Sequence, residues 1–280
     1  MRHFSLAILV VGLGWSSFVA AQNTALVASA ASADNPPLTL FSDRPLSLAP
    51  AAIPATPLTA PAVLPSMWSE LALRAYWQRA QEQDRNLASY SATTVIRAEL
   101  PATSQYGEYE LRRDYSAPRT LGFKVFRSVG DSFVRSKVIA RLLQSEVDHV
   151  KKDDPALTSL TPANYKFSPK STTSLGGRPV LVFQVKPRAK RLGLFKGHIY
   201  LDARTGTLVR SEGSIVKSPS LFIKSIHFVQ DYVDIAGFTF PSHIHSEANT
   251  RVVGSAVVDI YDQDYQPVSF GTAAADVPAL

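Results

Sequence analysis

What most limits this chain is the stretch 165–261, in which short alternating or apolar segments follow one another with only turn-length spacers and no helical period between them. Segments 180–186, 194–202, 208–212, 222–232, 238–248 and 251–261 carry the period-two pattern or short apolar run of strands. The spacers Gly176-Gly177, Asp202 to Gly206 and Asp234 to Gly237 have hairpin length and hairpin chemistry. Parallel neighbours need crossovers of a dozen or more residues, usually helical, and none is available here. The second half is therefore committed to antiparallel sheet.

The residues upstream supply what covers such a sheet. Ser66 is placed to cap a helix over 67–84, with Trp68, Leu71, Ala72 and Ala75 on one face and Leu73, Trp77 and Ala80 beside it. Three strands over 90–100, 106–115 and 121–129 follow as a meander. From 131 to 150 the period changes: Val134, Val138 and Leu142 recur every four residues, flanked by Ile139, Leu143 and Val147. Asp131 is the natural cap of this second helix, Lys151 and Lys152 suit its C-terminus, and Asp153-Asp154-Pro155 ends it. Nine or so strands and two helices give an α+β class: a curved antiparallel sheet covered on one face.

Arg2 and His3 precede an apolar run over 4–20, and Val19-Ala20-Ala21-Gln22 offers small residues for a signal peptidase. This predicts a signal peptide over 1–21, cut after Ala21, with a retained anchor as the alternative. Residues 22–66 hold 8 of the 19 prolines, 11 alanines, no glycine and three charges, which favours an extended, disordered linker. The folded domain is expected over 67–265 and a tail over 266–280. Export to the periplasm, with membrane association as an option, follows from the leader.

Composition enters through what it excludes. With no cysteine, thiol nucleophiles, iron–sulfur clusters and Cys-based zinc sites are impossible. The formal charge of +6 suits an anionic surface nearby without demanding nucleic acid. G-x-S-x-G, Walker, G-x-G-x-x-G and H-E-x-x-H patterns are all missing, so no enzyme and no cofactor is expected. The carboxylate pairs Asp153-Asp154 and Asp262 with Asp264 read as loop-end residues.

Phe195-Lys-Gly-His-Ile-Tyr-Leu-Asp202, Thr205-Gly-Thr-Leu-Val-Arg210 and Gly237-Phe-Thr-Phe-Pro241 form a pattern: a strand with a glycine and a closing Asp, a Thr-Gly turn, a strand with an Arg, then a Gly-aromatic-x-x-Pro entry. It resembles the LolA-like superfamily, which includes lipoprotein-localisation carriers and the sigma-factor regulator RseB. The resemblance implies a half-open β-barrel beneath two or more helices, binding lipid or lipoprotein acyl chains without catalysis. An RseB-like envelope-stress sensor with a membrane-protein partner is the alternative. The Pro/Ala leader and the basic loop near Lys186 are not part of that pattern.

On this reading the apolar ligand lies along strand stripes comprising Phe195, Ile199 and Leu201; Phe222, Ile226, Phe228 and Tyr232; and Val258 and Ile260, the last stripe beginning at Val252. An ordinary core beneath two helices fits the same alternation equally well. Lys186, Arg188, Lys190 and Arg191 form the densest basic cluster, a site for anionic head groups or else a solvated loop. His243 and His245, with Glu247, share a strand face and are weak metal candidates, since structural zinc wants four ligands.

Overall fold

A computed structural model describes residues 66–152, 154–251 and 254–270. The expected signal peptide over 1–21, the expected linker up to 65, Asp153, Val252, Val253 and the residues beyond 270 lie outside the described residues. Helix α1 (Ser66–Asn86) leads into β1 (Leu87–Leu100), β2 (Gln105–Ser116) and β3 (Thr120–Gly130). A π-helical stretch Val134–Ile139 continues as α2 (Ala140–Lys152). Seven strands follow: β4 (Tyr165–Leu175), β5 (Arg178–Pro187), β6 (Phe195–Asp202), β7 (Leu208–Ile215), β8 (Ile223–Ile235), β9 (Phe238–Thr250) and β10 (Ser255–Ser269).

All ten strands join one antiparallel sheet in the order β3-β2-β1-β10-β9-β8-β7-β6-β5-β4. The chain crosses from one edge to the other through α2, then meanders back until β10 pairs with β1, from Leu87 opposite Ser269 to Glu99 opposite Val257. The sheet is not closed: β3 and β4 are its two edges.

The motif residues each perform a local task. Asp202 Oδ1 accepts from the backbone N–H groups of Arg204 (2.9 Å) and Thr205 (3.0 Å), closing the β6–β7 turn. Burial works against that carboxylate, but these bonds outweigh it and hold its pKa below the ordinary value. Gly206, at φ +68°, lets the turn meet α1, because a Cβ there would lie 2.7 Å from Ala75 Cβ. Arg210 grips Asp231 on β8 with two bonds of 2.6 and 3.0 Å.

Three apolar clusters line the inner face. α2 and the π-helical stretch sink Val134, Val138, Ile139 and Leu142 onto Ile96, Leu111, Ile226, Ile244, Val258 and Ile260. α1 places Ala72 and Leu73 against Phe183, Phe195, Ile199, Leu201 and Phe228. Tyr90, Tyr115, Phe240 and Tyr265 form an aromatic group, with the Phe240 and Tyr265 rings stacked 4.4 Å apart.

Several expectations need correction. β4 is an additional strand whose apolar stripe stops after Tyr165 and Phe167, because as an edge the rest of it is built from Pro169, Lys170 and a run of Ser and Thr. β10 begins later than 251 and runs to Ser269, past the expected boundary at 265. Asp262 is therefore no loop-end residue: it is buried within β10, where it accepts from Thr94 Oγ1 at 2.5 Å. On α1 the face toward the sheet is Ser69, Ala72, Leu73 and Tyr76, while Trp68 and Leu71 are exposed. Asp131 does cap the second helix, accepting from Phe133 N at 2.8 Å and Val134 N at 3.2 Å.

Candidate functional site

Those stripe residues that lie on strands are distributed by the sheet over two clusters. Phe195, Ile199, Leu201 and Phe228 are buried under α1, with Tyr232 half-buried at their margin. Ile226, Val258 and Ile260 are buried under α2. Phe222 is not on the stripe: it precedes β8, and an irregularity between Ile223 and Ser225 turns Ile223 inward and leaves Lys224 exposed.

Between the two clusters the inner face becomes polar. Ser211 on β7, Gln230 on β8 and Ser246 on β9 are all buried, with Ser211 opposite Gln230 and Ser246 between Phe228 and Val258. Ser211 Oγ pairs with Tyr232 Oη at 3.0 Å, whereas Ser246 Oγ is buried without a hydrogen-bond partner. A buried hydroxyl left unpaired costs stability, so its presence at this seam calls for a reason.

Two adjoining cavities lie beneath α1. One, of about 170 Å³, is lined by Tyr76, Trp77, Ala80, Gln81 and residues 159–162. The other, of about 50 Å³, reaches Leu208, Tyr232 and Thr239, with Tyr76, Ala80 and Leu160 common to both. Both are smaller than the ~300–1,000 Å³ usual for small-molecule sites. A long apolar ligand here requires α1 to give way.

The attachments of α1 are mostly peripheral. Trp77 Nε1 donates to Leu160 O at 3.0 Å, Gln83 makes two bonds to the backbone of Thr239 at 2.8 and 3.1 Å, and Arg79 pairs with Asp234. Ser69, on the buried face, leaves its hydroxyl unpaired. Met67, Trp68 and Leu71 are more than half, or half, exposed at the helix start.

Beneath α2 lies a charged network without any motif signature. Arg113 on β2 pairs with Glu146 on α2, and Arg113 Nε lies 3.7 Å from Asp262 Oδ1. Arg113 also lies over the Phe123 ring, 5.2 Å from its centroid. Burial alone would lower the pKa of Arg113, but Glu146 and Asp262 raise it well above its ordinary value, so the group is a permanent buried cation. Burial raises the Glu146 carboxyl above its usual range, with the Arg113 charge opposing that rise. The only sequence signal was Arg113 at an inward strand position and Glu146 at an inward helix position.

Of the basic cluster, two members brace loops. Arg188 Nε donates to Pro162 O at 2.7 Å and Arg191 Nη1 to Leu157 O at 3.0 Å. Lys186 and Lys190 project into solvent.

On the outer face His243 and His245 turn to one carboxylate of the adjoining strand, with His243 Nε2 at 3.0 Å and His245 Nδ1 at 2.9 Å from Asp259 Oδ1. Glu247 lies 3.4 Å from the other nitrogen of His245. Hydrogen bonding to Asp259, against some burial, raises the pKa of His245. Among the described residues no three His, Asp or Glu side chains are grouped to hold a metal ion. Ser214 Oγ pairs with His227 Nδ1 at 2.9 Å on this exposed face, and no carboxylate among the described residues is hydrogen-bonded to that ring.

No protein-family model matches the chain, and a search of curated proteins finds no relative. Solved structures do match. A domain from Vibrio parahaemolyticus assigned to outer membrane lipoprotein sorting is 12% identical, covering 75% of this chain and 95% of its own, at a TM-score of 0.36. A LolA superfamily protein from Nitrosomonas europaea is 11% identical, covering 75% and 94%, at a TM-score of 0.32. The complex of MucA and MucB from Pseudomonas aeruginosa matches at 13% identity over 72% of this chain and 98% of that chain, at a TM-score of 0.22. The structural matches of this chain thus include a LolA superfamily protein, the superfamily that its Phe195–Asp202, Thr205–Arg210 and Gly237–Pro241 segments resemble.

Proposed function

We propose that the chain is a non-catalytic, exported carrier that holds a lipid or lipoprotein acyl chain between the inner face of a half-open barrel and α1. The observation that supports it most is the weak seating of α1: a helix with an unpaired buried hydroxyl and exposed apolar first turns lies over adjoining cavities on a strongly apolar sheet face. The acyl chain inserts between α1 and the side chains of Phe195, Ile199, Leu201 and Phe228, and Ser246 Oγ supplies a hydrogen bond to an ester or amide at the polar seam.

Mass spectrometry of natively purified protein tests this reading. Acyl lipid in near-stoichiometric amount is the expected result. Lipid-free protein that also fails to take up a fluorescent fatty acid overturns it. Ser246→Ala sharpens the test: removing an unpaired buried hydroxyl leaves the fold at least as stable, while retention of ester-bearing lipid falls.

A second reading, a regulator that docks an envelope membrane protein, is favoured by the β3 edge. Its outer side is unpaired in the sheet, and Val125 and Phe126 are exposed along it. Crosslinking through Phe126 that captures one membrane protein supports this reading, and crosslinks confined to solvent defeat it.

A further inference from the structure

The two edges of the sheet treat charge in opposite ways. On β1–β3, Arg97 and Arg127 both pair with Glu108, at 2.6 and 3.5 Å, and Arg112 pairs with Asp114 at 2.7 Å. Between residues 155 and 201, which include β4, β5 and all of β6 but its closing Asp202, there are eight Lys and Arg and no Asp or Glu. Lys166 on β4 stands directly opposite Lys186 on β5. The β5–β6 register, which pairs Val185 with Gly197, places Lys196 opposite Lys186 when continued by one residue. Three exposed lysines thus form a row across three strands, at intervals of about 5 Å. None makes an ion pair among the described residues. Like charges directly opposite one another destabilise a sheet, so this row costs stability in the free protein.

Apolar residues accompany the row. The loop joining Lys186 to Lys196 carries exposed Lys190 and Leu192, the latter 40% exposed. Arg191 of the same loop is bonded to the carbonyl of Leu157, itself 46% exposed. Exposed leucines beside unpaired lysines are the composition of an interfacial anchor. Lysines without a bidentate fork, spread along a sheet face, suit many phosphates in a plane rather than a single bound anion. Nucleic acid would call for stacking rings, and those of Tyr165 and Phe195 are turned into the core.

We propose that the β4–β6 end of the sheet, through Lys166, Lys186, Lys190 and Lys196 with Leu157 and Leu192, docks the protein on an anionic lipid bilayer. Its strand lysines lie on the outer face of the sheet, and the surface involves none of the residues of the acyl-carrier reading, so the two stand or fall separately.

Sedimentation of the full chain with vesicles of phosphatidylcholine alone, or of phosphatidylcholine with phosphatidylglycerol, tests the proposal. Binding is expected only to the anionic vesicles, and it weakens as salt rises. Lys166→Gln with Lys186→Gln and Lys196→Gln lowers that binding on the order of a hundredfold, while the unfolding midpoint holds or rises. Leu192→Ser weakens it less, and Lys124→Gln on the opposite edge leaves it unchanged. Equal binding to both vesicle types, absence of binding, or a triple variant that binds as wild type overturns the proposal. The lipid content of the triple variant, read by mass spectrometry, reports on the carrier reading alone.

Discussion

α1 and α2 lie on the same face of the same sheet but are held by different means. α2 and its π-helical lead-in bury Val134, Val138, Ile139 and Leu142 almost completely and add a buried cation beneath the helix. α1 buries only Ser69, Ala72 and Leu73, and the two apolar ones less completely, and its remaining ties are hydrogen bonds near its margins. Apolar burial contributes about 25 cal/mol per Å², so the helix with several fully buried aliphatic side chains is the anchored one. On the proposed carrier reading the contrast assigns the roles: α2 is part of the frame, and α1 is the element that yields to a ligand.

The strongest test of the frame is Glu146→Ala. It leaves Arg113 charged and buried with only part of its compensation, an error worth about 3–5 kcal/mol. Urea unfolding should register the loss, and a double variant with Arg113→Met and Glu146→Leu should recover most of it. A Glu146→Ala protein as stable as wild type would remove the distinction between the helices.

Gly206→Ala acts on the other member of the pair. The added Cβ meets Ala75 at 2.7 Å and Ala72 O at 2.9 Å, in a residue held at φ +68°. Strain of this kind typically costs about 1–3 kcal/mol. Because the clash is with α1, hydrogen exchange should accelerate in 66–86 while 140–152 stays protected. Gln83→Ala, which removes both bonds to Thr239, should act in the same direction with a cost of about 1–2 kcal/mol. Equal acceleration in both helices would show that they open together.

The legibility of these parts in the sequence follows the physics of each. Hairpin turns announce themselves, because Gly176-Gly177, Asp202 with Gly206 and Asp234 with Gly237 perform backbone tasks that few residues can. α2 was readable from its four-residue period. The period of α1 marks a helix, and Ala72 and Leu73 of its expected apolar side are buried, but Trp68 and Leu71 are exposed: amphipathicity reports burial only when every apolar residue is used for packing. β4 was obscured by its edge chemistry. The grouping of Arg113, Glu146 and Asp262 has no local signature beyond the inward positions of Arg113 and Glu146, since its members come from β2, α2 and β10 and only the sheet order brings them together. The lysine row had the same difficulty. The dense loop around Arg188 drew attention in sequence, while Lys166 and Lys196 join Lys186 only through strand register.

The smallest expected effect comes from a perturbation that touches neither helix. His245 lies on the outer face, and its hydrogen bond to Asp259 raises its pKa above the ordinary value of 6.5. A group whose folded pKa is raised binds protons more tightly in the folded state. Its contribution is therefore fully present below pH 6.5 and disappears as pH climbs through the folded value. Wild-type stability should thus decline slightly across that window, and His245→Gln should flatten the decline. Asp259→Asn, which removes the accepting carboxylate, should flatten the decline as His245→Gln does. Exchange rates of α1 and α2 should keep their ratio throughout, since His245 lies on the opposite face. If that ratio changes across the window, the outer face communicates with the helices, and the difference between α1 and α2 is not set by packing alone.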